Sequence, residues 1–471
     1  MKEETKEKPH TVRKGRRVGR TVLMGVLAVA VGVIVFNAVA NYVKTLPALT
    51  YEHYTGNEGP TSHPDVKFAV ISDLHFYDRS LGTEGAAFEE ALHDDRKMFL
   101  DAEDLLDCAI GEFEARIDEM GQADIEFVLI PGDLTKDGER INHDQVASRL
   151  QVLVDKGIQV CVVPGNHDIN NPGAVRYVGD GTEAVDTITA DDFARIYANM
   201  GYGSALMRDE NSLSYVVEPI PGLWILGLDG CRYRENQPGK PEIVSGRISQ
   251  ETEYWLGDVL NQAVSQKKSV MVLTHHGIVE HWPGQAKLHP DYLFRDYEYM
   301  GRLLASYHVK LVFTGHYHAQ NIAVGQFDEG TLYDVETGSL VTAPSPLRFC
   351  TLTGNALEIE SVSLVEKLRP DTDFAERARE FARDSVIAEA YRTLRSYKVP
   401  EEDAKYLAEA AGDGFMAHYY GDVDLAMRPV FDENKLGLWA RAIYTTQLKY
   451  VMEGLWEDLS PGNNSVVLLL E

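Results

Sequence analysis

Five short apolar runs in this 471-residue chain each end on carboxylate, amide or imidazole side chains, and that repetition limits the folds open to it. The run 66–71 gives way to Ser72-Asp73-Leu74-His75, 125–130 to Pro131-Gly132-Asp133, and 158–163 to Pro164-Gly165-Asn166-His167-Asp168. Further on, 270–273 leads into Thr274-His275-His276-Gly277, and 309–313 into Thr314-Gly315-His316-Tyr317-His318. Short β-branched runs closed by Pro-Gly or Gly turns read as buried strands. Helical patterns separate them: 142–156 opens on an Asn-x-x-Gln capping box, and Trp255, Leu256, Val259, Leu260, Ala263 and Val264 mark an amphipathic stripe. The alternation predicts an α/β domain whose parallel strands carry their polar ends to one edge, where ligands bind. Singly, each motif has a plain explanation, since Gly-Asp is a common turn and Asn166 or Asp168 can close an Asx turn. Five in succession point to a shared site.

The side chains so gathered are Asp73, His75, Asp133, Asn166, His275, His316 and His318, an oxygen and imidazole set without a thiolate. Such donors suit Zn, Mn or Fe rather than Cu(I). Seven are too many for one ion with an open position, so two divalent ions sharing a carboxylate are expected. Paired ions about 3.5 to 4 Å apart clamp phosphoryl oxygens and hold a hydroxide between them.

The order Asp-x-His, Gly-Asp, Gly-Asn-His-Asp, His, Gly-His-x-His resembles the calcineurin-like metallophosphoesterase superfamily over residues 66–339. The stretches PGDLTKDGE, VPGNHDINNP and GHYHAQNI are similar to exported Gram-positive phosphodiesterase-like members, of the class III cyclic nucleotide phosphodiesterase type, that carry a helical C-terminal domain. The resemblance implies a four-layer α/β/β/α sandwich, with Asp73, His75, Asp133 and His318 on one metal, and Asp133, Asn166, His275 and His316 on the other. It also implies that Asp133 bridges, that His167 faces the phosphate, and that Asp168 orients the His167 ring. The role of His276 stays open between substrate contact and structure, and Gly277 stands where many relatives have Pro. His143, Asp229 and His281 lie near the motifs and are expected in solvated or capping roles.

The resemblance favours a small phosphodiester as substrate, a cyclic nucleotide or a glycerophosphodiester, hydrolysed by in-line attack of a metal-bound hydroxide. A phosphomonoesterase and a non-catalytic surface-binding protein on the same fold are the alternatives, and seven competent ligand positions speak against the second. The formal charge of -28 opposes a nucleic acid polymer as partner.

That charge is uneven. Residues 1–20 hold eight bases against three acids, a net of +5, and residues 21–43 carry none. At about 1.5 Å per residue the uncharged run can cross a bilayer core of about 30 Å. Bases ahead of it predict a cytoplasmic leader and an exported body. The run reads as a membrane anchor, with a signal peptide cut near Ala40 as the alternative: the first places the catalytic domain outside the cell membrane, and the second secretes it. A linker is expected over 44–64, the metallophosphoesterase domain over 65–365 and a helical C-terminal domain over 366–471. The four cysteines are widely spaced, without C-x-x-C, which excludes a zinc-thiolate site.

Overall fold

All five apolar runs become buried strands in the computed structural model, which describes residues 48–56, 59–60, 63–117, 123–457 and 461–470, with the backbone alone at 93–95. β1 (Val66–Val70), β2 (Phe127–Ile130) and β3 (Gln159–Val162) lie side by side and parallel. A small hairpin, β4 (Val175–Val178) and β5 (Gly181–Ala184), pairs only with itself. A second, seven-stranded sheet then forms from β6 (Met207–Arg208), β7 (Tyr215–Ile220), β8 (Leu223–Leu228), β9 (Ser269–Thr274), β10 (Leu311–Thr314), β11 (Asn321–Phe327) and β12 (Gly330–Glu336). Its central strands β8, β9, β10 and β12 are parallel neighbours. The chain returns to the first sheet through β13 (Pro346–Thr353), β14 (Ala356–Ser363) and β15 (Ser465–Leu469), giving the order 15-14-13-1-2-3.

β2, β8, β9 and β10 are buried along their whole length, as expected of strands covered on both faces. Between the sheets, Phe68 stacks on Phe127 and meets the edge of Phe313, with ring centroids 4.9 and 5.4 Å away. Helices Ala102–Glu114 and Arg140–Asp155 send Leu105, Leu106, Phe113, Val146 and Leu150 into the same core. Helix Tyr297–Ser306 covers β11 and β12 with Met300, Leu303 and Leu304 buried. The layers are helix, sheet, sheet, helix.

Three local readings change. Asn142 does not cap a helix: Arg140–Asp155 starts earlier, and the buried Asn142 amide donates to Glu139 Oε2 and accepts from the Asp78 N–H, both at 2.8 Å. It joins the loops after β1 and β2, a demand that outweighs end-capping. The stretch expected as a linker is attached from Tyr51 onward, where the Tyr51 N–H donates to Glu253 at 2.7 Å and Tyr54 stacks on Tyr307. Tyr51–Glu471 accordingly forms one compact unit. The C-terminal region is mainly helical, with Phe374–Ser396 packed on Glu401–Tyr420 and followed by Leu438–Ile443 and Lys449–Gly454. It closes with β15, which pairs antiparallel with β14 and so belongs to the first sheet. The basic leader and the uncharged run 21–43 lie outside the described residues. Among the described residues no helix is long and apolar enough to cross a membrane. All four cysteines are free thiols.

The two sheets are joined near the polar edge by Arg348 of β13, which is fully buried. Its guanidinium donates to Glu336 O at 2.7 Å, to Thr337 Oγ1 at 3.2 Å and to Asn463 O at 2.5 Å, tying β12 and the turn before β15 to β13. Removing it strands several buried acceptors at once. Arg348→Met should lower stability by about 1–3 kcal/mol for each buried acceptor left without a partner, measured by urea unfolding.

Candidate metal centre

The seven side chains gathered from the strand ends meet where the two sheets present their carboxyl ends. The strands stop abruptly because the next residues leave the extended region: Asp73, His75, Asp133, His316 and His318 have φ of 50°, 37°, 50°, 75° and 65°. Non-glycine residues rarely hold such values, and they cluster where a site requires them. Glycine supplies the clearance. A Cβ on Gly165 would stand on the Asp133 carboxylate, and one on Gly315 would strike Ser72 and Asp73. The G-N-H-D and G-H-x-H motifs need their glycines for this close approach.

Donor atoms of Asp73, His75, Asp133 and His318 all lie within 4.8 Å of one another, as do those of Asp133, His275 and His316. Asp133 belongs to both groups. Its Oδ2 is 3.5 Å from His75 Nε2 and 3.4 Å from His275 Nε2, while Oδ1 accepts the His167 backbone N–H at 2.9 Å. Asn166 Oδ1 is 3.1 Å from His275 Nε2, which brings the neutral amide into the second group. His318 Nε2 stands 3.2 Å from His75 Nε2 and 3.3 Å from Asp73 Oδ1.

This arrangement fits divalent cations. Ligands about 2.1 Å from a common ion stand about 3.0 to 3.4 Å apart in octahedral or tetrahedral shells, close to the spacings here. Burial holds His75 and His316 well below the ordinary histidine range, so their ring nitrogens offer lone pairs. Burial works against ionising Asp133, but the rings of His275, His167 and His75 hold its carboxyl well below the usual range. Burial opposes protonation of His275, but Asp133 raises it to about 9, a proton that a cation would have to displace. The oxygen and imidazole donor set is that of Zn, Mn or Fe sites.

His167 sits at the rim of this cluster with Nε2 4.0 Å from Asp133 Oδ2. The expectation that Asp168 orients its ring is overturned. Asp168 is buried beneath the loop, where it accepts the N–H groups of Gly165, Leu134 and Thr135 at 2.8, 3.2 and 3.0 Å and the Thr135 hydroxyl at 3.0 Å. A short carboxylate in a turn satisfies the nearest backbone donors first, as in an Asx turn. The ring's partner is Asp137, whose Oδ1 is 2.9 Å from His167 Nδ1. Burial and the Lys97 ammonium oppose protonation of His167, yet Asp133 and Asp137 outweigh them and raise it to about 9. Asp137 lies four residues after Asp133, inside PGDLTKDGE, and the Gly-Asp motif drew attention away from it.

Lys97 was also missed, and nothing in its local sequence marks it. It is buried beside the centre and lines the same cavity as His167 and His318. Among the described residues no carboxylate pairs with it.

The remaining neighbours are structural. His276 Nε2 bonds Val244 O at 2.8 Å while its ring packs on His316 at 4.5 Å, behind the ligand. Gly277 donates its N–H to Tyr292 O at 3.1 Å, a bond proline could not make. Asp229 has the expected capping role, accepting from the N–H groups of Leu213 and Cys231, both at 3.0 Å. His143 and His281 are fully buried, against expectation. His143 bridges Tyr197 Oη and Asp168 O, and His281 faces Asp334 and Glu336, so both brace loops from within.

The family model described as calcineurin-like phosphoesterase matches residues 66–320, more than half of the chain. The chain belongs to that family and is a metallophosphoesterase, a hydrolase of phosphoric esters. No curated protein matches it significantly. Among solved structures it is similar to a dimetal phosphatase from Danio rerio, with 16% identity, a TM-score of 0.43, and 63% of this chain and 95% of that one covered. The sulfate thiohydrolase SoxB of Thermus thermophilus is 13% identical with a TM-score of 0.36, covering 71% of this chain and 61% of that one. The phosphopantetheinyl hydrolase PptH of Mycobacterium tuberculosis is 12% identical with a TM-score of 0.27, covering 60% and 91%.

The shared position of Asp133 has a direct consequence. Asp133→Asn removes the negative charge common to both donor groups, so metal content and turnover should fall together. Elemental analysis of the purified variant beside its activity checks this, and two retained metals with full activity would refute the bridging role.

Proposed function

We propose that the protein hydrolyses a small phosphodiester, of the glycerophosphodiester or cyclic nucleotide kind, at a binuclear divalent metal centre held by Asp73, His75, Asp133, Asn166, His275, His316 and His318. The observation that carries this reading is His167, fixed through Nδ1 by Asp137 with Nε2 directed toward the cluster. When bound, the two cations would neutralise phosphoryl oxygens and lower the pKa of a water so that it can attack phosphorus as hydroxide. What the protein must still manage is the charge on the departing alkoxide. His167 is placed to donate a proton or a strong hydrogen bond there, and Asp137 accepts from Nδ1, so the protonated ring presents its Nε2–H to the cluster. Lys97 supplies a further positive charge beside the site, matched to the single charge of a diester.

A ribose or glycerol alkoxide leaves badly without a proton, whereas p-nitrophenolate leaves unaided. His167→Ala should therefore lose on the order of 10² to 10⁴ in rate on alkyl diesters and far less on aryl diesters. Asp137→Asn should show the same preference with a smaller loss, because it releases the ring without removing it. Rates on matched alkyl and aryl diesters and monoesters, with metal content checked, decide the case. Equal losses on alkyl and aryl diesters would assign His167 to phosphate binding instead.

The proposal includes location. The +5 leader before an uncharged run supports a catalytic body outside the cytoplasmic membrane, tethered through residues 21–43 or released by cleavage near Ala40. Protease added to intact cells that lack an outer barrier should digest the tethered protein. Its recovery from the medium would indicate cleavage, and full protection inside the cell would overturn export.

A further inference from the structure

The metal centre opens into a cavity of about 630 Å³ whose far wall is built by the C-terminal helices. On helix Phe374–Ser396, Val386, Ala390 and Leu394 face it, and on Glu401–Tyr420, Leu407, Ala411 and Phe415 do. Each set is spaced i, i+4, i+8 and forms an apolar stripe, and on helix Phe374–Ser396 the row Glu389, Thr393 and Tyr397 lines the cavity beside it. Ile443 and Val451 from the following helices complete the wall. Apolar stripes normally interlock and leave few voids larger than a water molecule. Here Leu394, Leu407 and Ile443 do so in one buried cluster, and Ala390, Ala411 and Phe415 beside it are left facing the cavity. The ion pair between Arg96 and Glu389, at 2.7 Å, joins helix Phe374–Ser396 to the segment just before Lys97 at the rim of the cavity.

The cavity is therefore two-ended. Lys97, His167 and the ligand side chains form a polar end suited to a phosphate, and the helices form an apolar end continuous with it. A cyclic nucleotide or free glycerophosphodiester would leave the apolar end uncovered. We propose that it receives an aliphatic chain, so that the diester cleaved at the metal centre is a lipid-type one, its phosphate esterified to a long-chain or acylated alcohol. This rests on the phosphodiesterase reading above and narrows it, in place of the cyclic nucleotide or free glycerophosphodiester, to diesters that carry an aliphatic chain.

The test is a homologous series of p-nitrophenyl alkyl phosphodiesters, ethyl to octyl, below their aggregation concentrations, with the metal-loaded full chain. Burying one methylene changes affinity by about threefold to fourfold, so kcat/KM should climb by that factor per carbon and by roughly 10³ from ethyl to octyl. Ala390→Trp and Ala411→Phe, which put bulk into the apolar end, should lower the octyl-to-ethyl ratio toward one, with folding checked by circular dichroism. The wild-type series alone is decisive if either variant fails to fold. Steady hydrolysis without dependence on chain length would overturn the lipid assignment and leave the phosphodiesterase reading standing. Hydrolysis of no diester in the series, with both metals bound, would bring down both.

Discussion

One carboxylate, Asp133, sets the geometry around which the rest is built. Two groups of donors from two different sheets converge on it, and burying that charge is tolerable only because imidazoles from both sides and a backbone N–H surround it. The carboxylate must stand beyond the end of β2, so its residue takes φ of 50°. Gly165 must pass directly behind it with no side chain. Asp168 then ties the G-N-H-D loop to the Gly-Asp loop through three backbone N–H groups, which keeps His167 and Asn166 at a fixed distance from Asp133. Strain at the strand ends is thus held in place by hydrogen bonds beneath them.

This layering explains which parts were legible in the sequence. Strands whose whole length is buried leave continuous apolar runs, and motifs at their ends fall in a fixed order, so β1, β2, β3, β9 and β10 and their seven polar residues could be read directly. A residue that works by facing another across the fold leaves no such trace. Asp137 reaches His167 over a separation of 30 residues, and Lys97 reaches the centre from a loop without a motif. Asp168 misled because adjacency in sequence stood in for adjacency in space. Its carboxylate turns back into the loop, while the imidazole beside it turns outward. Burial of His143 and His281 was equally hidden, since a polar residue near a motif looks the same whether it braces a loop or meets solvent.

The C-terminal region shows the limit from the other side. Its helix-forming composition was plain, but composition does not say where a helix is placed. Placement comes from tertiary anchors: β15 returning to β14, the buried Arg348 fork holding the turn before β15, and Arg96 fixed to Glu389. The two helices pack on one another as in an ordinary core, and the side chains at the edge of that packing line the cavity.

The two ends of that cavity have different mechanical requirements, and the fold meets them with different elements. Proton donation at a leaving oxygen, as proposed for His167, tolerates little error in position, and His167 stands in a short loop tied to the one after β2. An aliphatic chain makes no directional bonds, and its contribution scales with the area it buries. Helices that slide by a fraction of an ångström would still cover one. The ion pair Arg96–Glu389 and the neighbouring Lys97 lie at the boundary between the two regimes, where a charged headgroup would change into its apolar chain. A change of side chain on the helical wall would therefore alter which esters fit without disturbing the ligands. A change in the loops under Asp133 would affect every ester alike.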